Sequence, residues 1–425
     1  MKTLRLGSMG PSVQLLQLAL VRAGYAPLST DGIFGAATQY ALRRFQQDNS
    51  LTPDGAAGAL THRTLLPWYT GFLVHTAAPG DTLSSVAARY GTTVNAILMA
   101  NPDAAAQNPA PGSALIVPLP FDVVPTTIDW CSALVGYCVR GLSARYPFIA
   151  SGEIGKSVMS RPLWCMTLGR GENRVLYSAA HHANEWITVP LLLKFTEQLA
   201  RAYSEGGFIY SQSAEELWDY ASLFIAPAVD PDGMDLVTGE LTAGEHYDAA
   251  VSIASAYPQY PFPAGWKANI RGVDLNLQYP AGWEQAKANK AALGVTSPAP
   301  ADFVGASPLS APESRALYDY TLSVSPALIL AYHTQGEVIY WRYEDHAAEG
   351  AEEIGAAFAQ LSGYALEDTP YSSGFAGYKD WFIDAFDRPG YTVEAGLGTN
   401  PLPIADFDAI YGRNLGILTL GALVT

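Results

Sequence analysis

The sequence predicts an α/β protein with a mixed, twisted sheet and helices on both faces over residues 121–425. A small helical domain over 1–68 and a small strand–helix–helix–strand domain over 71–119 precede it. Three observations predict this arrangement. Apolar strand-like runs alternate with helix-like periodicity from about Phe121 onward. A turn motif repeats within the first 61 residues, and Pro118-Leu119-Pro120 has the composition of a linker.

Gly10-Pro11 opens the first predicted helix, with proline at an early position where no amide donor is needed. Val13, Leu16 and Leu20 mark one face, and Gly24 is a suitable stop. Asp31-Gly32-Ile33-Phe34-Gly35-Ala36-Ala37-Thr38 then recurs as Asp54-Gly55-Ala56-Ala57-Gly58-Ala59-Leu60-Thr61. Each Asp-Gly reads as a turn leading into a helix, the first carrying Tyr40, Leu42 and Phe45. With its opening Leu4-Arg5-Leu6-Gly7-Ser8-Met9-Gly10, this segment resembles the helical peptidoglycan-binding domain of bacterial wall hydrolases.

From His75 a strand and turn, Pro79-Gly80-Asp81-Thr82-Leu83, lead to a helix with Val86, Ala87 and Tyr90. A second helix ends at Ala100-Asn101-Pro102, and Gly112 to Pro118 reads as a closing strand. The order of elements, with Gly-Asp-Thr-Leu and Ala-Asn-Pro in place, resembles a LysM domain. That resemblance implies a shallow groove holding N-acetylated glycans through backbone hydrogen bonds and apolar contacts.

Composition bounds the rest. At 425 residues, with 49% hydrophobic and 15% charged side chains, the chain is long and apolar enough for more than one folded domain. The strongest apolar run, Pro326 to Tyr332, is too short to cross a bilayer, so no membrane insertion is expected. Met1 to Gly10 holds two basic residues but no apolar stretch, so no conventional signal peptide is expected there. Cys131, Cys138 and Cys165 form no zinc-type pair; they read as small buried hydrophobes, with one disulfide left open. Residues 1–119 carry seven Lys/Arg against five Asp and no Glu, whereas the remainder is about −18. So acidic a body disfavours nucleic acid as a partner.

In the third segment the expected strands are Val175–Ala179, Leu223–Ala228, Ala327–Tyr332, Val338–Tyr343 and Thr392–Glu394. The expected helices are Val189–Tyr203, Pro312–Val324 and Ala347–Gln360. The Tyr- and Pro-rich tract from Tyr247 to Trp266 reads as a long loop near the candidate site, able to shape its specificity. Ala180-His181-His182-Ala183-Asn184-Glu185-Trp186-Ile187-Thr188 sits between a strand and a helix. An imidazole and a carboxylate three residues apart can converge on one borderline-soft cation, with a distant second histidine completing a site that keeps a position open for water. A second histidine, His333, ends the apolar run Leu328 to Tyr332.

Together with Gly272-Val273-Asp274-Leu275-Asn276 and Tyr391-Thr392-Val393-Glu394-Ala395-Gly396, these stretches resemble the zinc carboxypeptidase (M14) family in the family's order. The resemblance implies one zinc held by His182, Glu185 and His333, with Glu394 as general base and acid. It implies Asn276, Gln335 and Ile383 as substrate-contacting positions. It also implies a cation that polarises the carbonyl: spacing from Trp266 points to Lys267, whereas Arg271 has the lasting charge and fork geometry and is on that ground slightly preferred. His181 reads as a support for the ligands, Asp230 as structural, and His62, His75, His246 and His346 as surface or turn residues.

Two departures matter. Leu277 stands where the family's carboxylate-binding Arg follows the Asn, and Ile383 stands where its mobile Tyr is expected. Leucine cannot make the paired hydrogen bonds that hold a carboxylate. The chain looks like the bacterial γ-D-glutamyl-diamino acid peptidases, which implies cleavage between D-glutamate and meso-diaminopimelate in peptidoglycan stems. The alternatives are a metallocarboxypeptidase trimming C-terminal residues and a non-catalytic wall-binding protein. The implied location is the cell wall, the extracellular space or a sporulating-cell compartment.

Overall fold

The computed structural model describes residues 2–25, 29–104 and 108–424; Met1 and Thr425, the outer limits of the predicted domains, lie outside them. Two compact units are formed. One comprises Met1–Asp129 with Ala133–Ala150, the other Trp130–Ser132 with Ser151–Thr425.

In the first unit, helices Pro11–Arg22, Ala36–Asp48 and Ala59–Thr70 enclose Val13, Leu16, Leu20, Phe34, Leu42, Phe45, Leu65 and Tyr69, all buried. The sequence repeat has a side-chain counterpart that its two Asp-Gly turns do not reveal. Gln17 Nε2 donates to Asp31 Oδ1, Ile33 O and Thr38 Oγ1, while its Oε1 accepts from Gly32 N. Gln46 repeats the pattern with Asp54 Oδ1, Ala56 O, Thr61 Oγ1 and Gly55 N. Each glutamine therefore satisfies one turn from inside the preceding helix.

The next 50 or so residues of this unit pair strand Phe72–Thr76 antiparallel with Ala114–Pro118 around helices Leu83–Tyr90 and Val94–Ala100. Thr82 caps the first helix in a reciprocal pair with Ser85. Asn101 explains the Ala-Asn-Pro signature: its Nδ2 donates to Ile97 O and Ile116 O while its Oδ1 accepts from Ile116 N, fastening helix to closing strand. Helix Ser132–Arg145 brings Tyr137 to stack on Tyr69 at 5.2 Å within the same unit. His62 and His75 are not surface residues. Each is buried because its ring bridges groups the core must satisfy: Tyr69 and Lys2 O for His62, Asp81 and Tyr90 for His75.

The second unit is built on an eight-stranded mixed sheet. Its order is Ala365–Glu367, Val338–Tyr340, Gly390–Glu394, Leu328–His333, Asn173–Ala179, Ala221–Ala226, Pro162–Gly169, Ala150–Lys156. The central strands Gly390–Glu394, Leu328–His333, Asn173–Ala179 and Ala221–Ala226 run parallel. Every residue of Leu328–His333 is buried, as expected of a strand covered on both faces. Helix Thr188–Glu205 buries Val189, Leu192, Leu193 and Leu199 and stops at Gly206, whose left-handed φ of 65° ends the helix without a Cβ clash.

Several boundaries differ from expectation. The strand from Val338 ends at Tyr340, and the helix expected from Ala347 starts at Ala351, after Gly350 in the left-handed region. Half of the supposed loop is helix Glu245–Ser255, which buries only Ala250 and Ala254 and so shows little apolar periodicity. Ala150–Lys156, Pro162–Gly169 and Ala365–Glu367 have no counterpart among the expected strands; their alternation is weak. Among the described residues the cysteines are free, and no helix is long and apolar enough to cross a membrane.

Gln46→Leu should strip three acceptors and the Gly55 amide of their partner. In the full chain, hydrogen exchange should show protection of the Leu42–Phe45 amides reduced by about 2–4 kcal/mol; protection equal to the parent would contradict this role for Gln46.

Candidate metal centre and active site

Three parallel strands end at one place, and each end delivers a chemical group. After Ala179 the chain turns through Ala180, whose φ is 51°, and places His182 and Glu185 at the two ends of the short 3-10 turn Ala183–Glu185. Thr188 Oγ1 fastens that turn, donating to Glu185 O and accepting from Ala180 N. His333 ends the neighbouring strand, and Glu394 lies beside it in register on the next.

His182 Nδ1 lies 2.9 Å from Glu185 Oε1, His333 Nδ1 lies 2.9 Å from Glu185 Oε2, and the two imidazole Nδ1 atoms are 3.1 Å apart. Donors bound at about 2.0–2.1 Å around a tetrahedral zinc stand about 3.3 Å from one another. The observed spacings are slightly tighter than that shell. His182, Glu185 and His333 form the one such donor cluster among the described residues. Two buried ring nitrogens facing each other beside a carboxylate need a proton or a cation between them, so the residues fit a zinc ion.

The supporting contacts orient the donors. Asp274 Oδ1 holds His182 Nε2 at 3.2 Å, the carboxylate–histidine relay that fixes a metal ligand's ring. Asp274 Oδ2 accepts from Asp302 N. His181 stacks on His333 with centroids 5.4 Å apart and bonds Tyr279 through Nε2. Lys267 Nζ stands 3.2 Å from Glu185 Oε1, and its backbone carbonyl accepts from Ala183 N.

Electrostatics follow from this packing. Burial raises the cost of charge on Glu185, only 1% exposed, but His182, Lys267 and His333 outweigh it and hold the carboxyl well below its usual range. Burial would discharge His182, yet Glu185 opposes it and the ring is pushed up to about 9. Lys267 is likewise held above its ordinary value, burial being outweighed by Glu185, Glu394 and Asp274. Burial, partly opposed by His333, raises Glu394, the direction a proton-transferring carboxylate needs. A cavity of about 300 Å³ opens on this cluster, and His182, Lys267, Asn276, Leu277 and Glu394 are among the residues lining it.

The zinc carboxypeptidase model matches residues 137–400. This chain belongs to the zinc carboxypeptidase family. It is a zinc metallopeptidase, a hydrolase. Gamma-D-glutamyl-L-diamino acid endopeptidase 1 of Lysinibacillus sphaericus is 41% identical over 283 residues, covering 67% of this chain and 69% of its own. YqgT of Bacillus subtilis (strain 168) is 40% identical over 277 residues, covering 64% and 72%. Bovine thrombin-activatable fibrinolysis inhibitor, solved with a tick carboxypeptidase inhibitor, shares the fold at a TM-score of 0.54 and 18% identity, over 69% of this chain and 96% of its own. A peptidoglycan-binding domain matches residues 9–65 and a LysM domain 75–118, which associates this peptidase with the cell wall through peptidoglycan.

The fold brings together His182, Glu185, His333, Lys267, Asn276 and Glu394, but not every expected residue. Arg271 is exposed and borders a separate groove with His246 and Phe303, because the turn from Asn269 through Gly272 carries it away from the cluster. Ile383 is fully buried in the core beside Trp381 and Phe382, on the inner face of helix Tyr378–Phe386. Gln335 is exposed on the loop after His333 and does not line the cavity. Sequence reasoning missed Asp274, Lys290, Tyr340, Lys379 and Asp380, all of which border the cavity; Tyr260, from the Tyr- and Pro-rich tract, borders it too. Asp274 lies inside Gly272-Val273-Asp274-Leu275-Asn276, and Lys379-Asp380 directly precede Trp381, so each sits in or beside a motif whose other members carry the resemblance.

Because the raised His182 keeps its proton at neutral pH, zinc must displace it. Uptake at pH 7 should release a proton, and apparent affinity should fall about tenfold per pH unit below about 9. Calorimetry in buffers of differing ionisation heat counts that proton; affinity flat from pH 6 to 8 would sink the assignment.

Proposed function

We propose that this peptidase hydrolyses the amide between the γ-carboxyl of D-glutamate and meso-diaminopimelate in peptidoglycan stem peptides. The observation that carries the reading is the cavity wall at Asn276-Leu277: Leu277 lines it with an apolar side chain, so a plain C-terminal carboxylate finds no guanidinium there. The 41% identity to an enzyme named for the γ-D-glutamyl-L-diamino acid bond supports it. We further propose residues 1–68 and 71–119 as the wall-binding modules and 121–425 as the catalytic domain. Binding to the wall would raise the local concentration of stems at the cavity. The working location is the cell wall, the extracellular space or a sporulating-cell compartment.

In this reading His182, Glu185 and His333 hold the zinc, and Asp274 keeps His182 in the tautomer that presents Nδ1. Zinc supplies a Lewis acid that makes water nucleophilic near neutral pH and polarises the scissile carbonyl. Glu394 takes the proton from the attacking water as its oxygen bonds to the carbonyl carbon. The same carboxyl then gives the proton to the departing amine as the carbon–nitrogen bond breaks. Lys267 keeps its positive charge through the cycle and offsets the negative charge that grows on the carbonyl oxygen. Asn276, held by the Tyr378 amide at Oδ1, offers its side-chain amide donors to the substrate.

Glu394→Gln should lower kcat by at least about 10³-fold while zinc content stays at one per chain; near-parental turnover would remove Glu394 from proton transfer. Mass spectrometry of tripeptide and tetrapeptide muropeptides should show an L-Ala-D-Glu fragment and a diaminopimelate fragment only with zinc. Loss of just the terminal residue would make the enzyme a carboxypeptidase instead.

A further inference from the structure

Two buried charges that line the cavity have no part in the proposed reaction. Lys379 and Asp380, 3% and 2% exposed, open helix Tyr378–Phe386 behind its cap Gly377. Lys379 Nζ lies 2.6 Å from Asp380 Oδ1 and donates to Arg342 O. Asp380 Oδ2 accepts from Gly377 N, whereas Oδ1 accepts no hydrogen bond.

Stability accounts for Asp380, whose carboxylate caps Gly377 N in the first turn, but not for Lys379 beside it. An ammonium in the first turn of a helix stands at the positive end of the backbone dipole. Removing an ion pair from water costs desolvation that an apolar pair of similar volume would avoid. The capacity of the pair is also incomplete: of the ammonium's three donors one goes to Arg342 O, while the ion pair with Asp380 Oδ1 has close contact but not hydrogen-bond geometry. The cavity's other lysine–aspartate pair differs. Asp302, 2.6 Å from Lys290, has a side chain 30% exposed, and water can satisfy it.

We propose that Lys379 and Asp380 read the far end of the diamino acid side chain, and that they select a diamino dicarboxylic acid over one ending in an amine alone. The inference rests on the bond assignment above. A terminal α-amino acid group carries a carboxylate and an ammonium side by side, and it can lie antiparallel to the pair, carboxylate on Lys379 and ammonium on Asp380. A lone ammonium, as in lysine, is drawn to Asp380 but repelled by Lys379, so its gain largely cancels. A lone carboxylate meets the opposite conflict. A neutral pair thus discriminates by charge pattern, where a single cation would accept any anion.

The zinc-loaded full chain is tested on two tripeptides, L-Ala-γ-D-Glu-meso-diaminopimelate and L-Ala-γ-D-Glu-L-Lys. The parent should favour the first by about 100-fold or more in kcat/KM, the scale of discrimination by buried polar partners. Lys379→Met should bring the ratio to within about fivefold, chiefly by raising KM for the diaminopimelate peptide with kcat little changed. Since that change strands Asp380, Lys379→Gln/Asp380→Asn serves as a neutral second variant, with zinc content and melting checked; it should give the same collapse. Free meso-diaminopimelate should inhibit the parent far better than free L-lysine, a comparison that needs no variant. Equal cleavage of both tripeptides by the parent overturns the inference and leaves the bond assignment standing. So does a parental ratio in either folded variant, or a collapse caused instead by Lys290→Met. Cleavage of neither tripeptide removes the bond assignment itself, and the inference with it.

Discussion

The burial of one carboxylate organises the catalytic unit. Glu185 lies almost out of contact with water, and an isolated ionised carboxyl there would be neutralised. It stays charged because His182, Lys267 and His333 surround it, each brought by a different part of the chain. Two of those partners are nitrogen donors on the same face as the carboxylate oxygens, so the condition that permits the buried charge also creates a cation site. Asp274 belongs to the same logic: it balances His182 from the far side of the ring and is itself tied to the Asp302 amide.

Sheet topology makes this convergence possible. Asn173–Ala179, Leu328–His333 and Gly390–Glu394 are parallel neighbours, so their carboxyl ends fall on one edge, where open α/β sheets gather their chemistry. The crossover helices between parallel strands let residues 148 apart in sequence, Glu185 and His333, meet at 2.9 Å. Register sets the finer detail. Pairing of Glu394 with His333 puts the proposed base one strand spacing from a metal donor.

What was legible in the sequence divides along physical lines. The meeting of His182, Glu185, His333 and Glu394 was implied by the resemblance of four motifs in order; the three-residue spacing of His182 and Glu185 carries little alone, and His333 and Glu394 lie far off in sequence. The LysM-like segment was legible because Thr82 and Asn101 each perform a local capping or fastening task, and local tasks leave local signatures. The choice between Lys267 and Arg271 was not legible, because four residues of a tight turn decide which side chain faces the cavity, and spacing counts neither turns nor directions. Ile383 failed for a related reason. Lys379 and Asp380 border the cavity from the first turn of the helix, whereas Ile383, one turn further along the same face, has already passed into the core, and depth along the axis leaves no mark in residue spacing. The paired glutamines Gln17 and Gln46 escaped notice because they lie 29 residues apart while the turns they hold lie 23 apart, so no fixed repeat length aligns both.

Charge balance connects the cavity to the proposed stem-peptide substrate. The chain beyond residue 119 is about −18, and a stem peptide carries several carboxylates, so long-range electrostatics oppose their meeting. The cavity counters this locally. Lys267, Lys290 and Lys379 all border it, and each is matched to an acid: Glu185, Asp302 and Asp380 respectively. Matching has two effects. It keeps the lysines fixed, since an ammonium held by a carboxylate loses the freedom of a long exposed side chain. It also prevents the cavity from acting as a general anion trap, because each cation presents its charge only alongside an opposite one. Binding then depends on the order of charges along a ligand, and a stem peptide, whose carboxylates and ammonium groups alternate along a short branched chain, is the kind of ligand such a lining can distinguish.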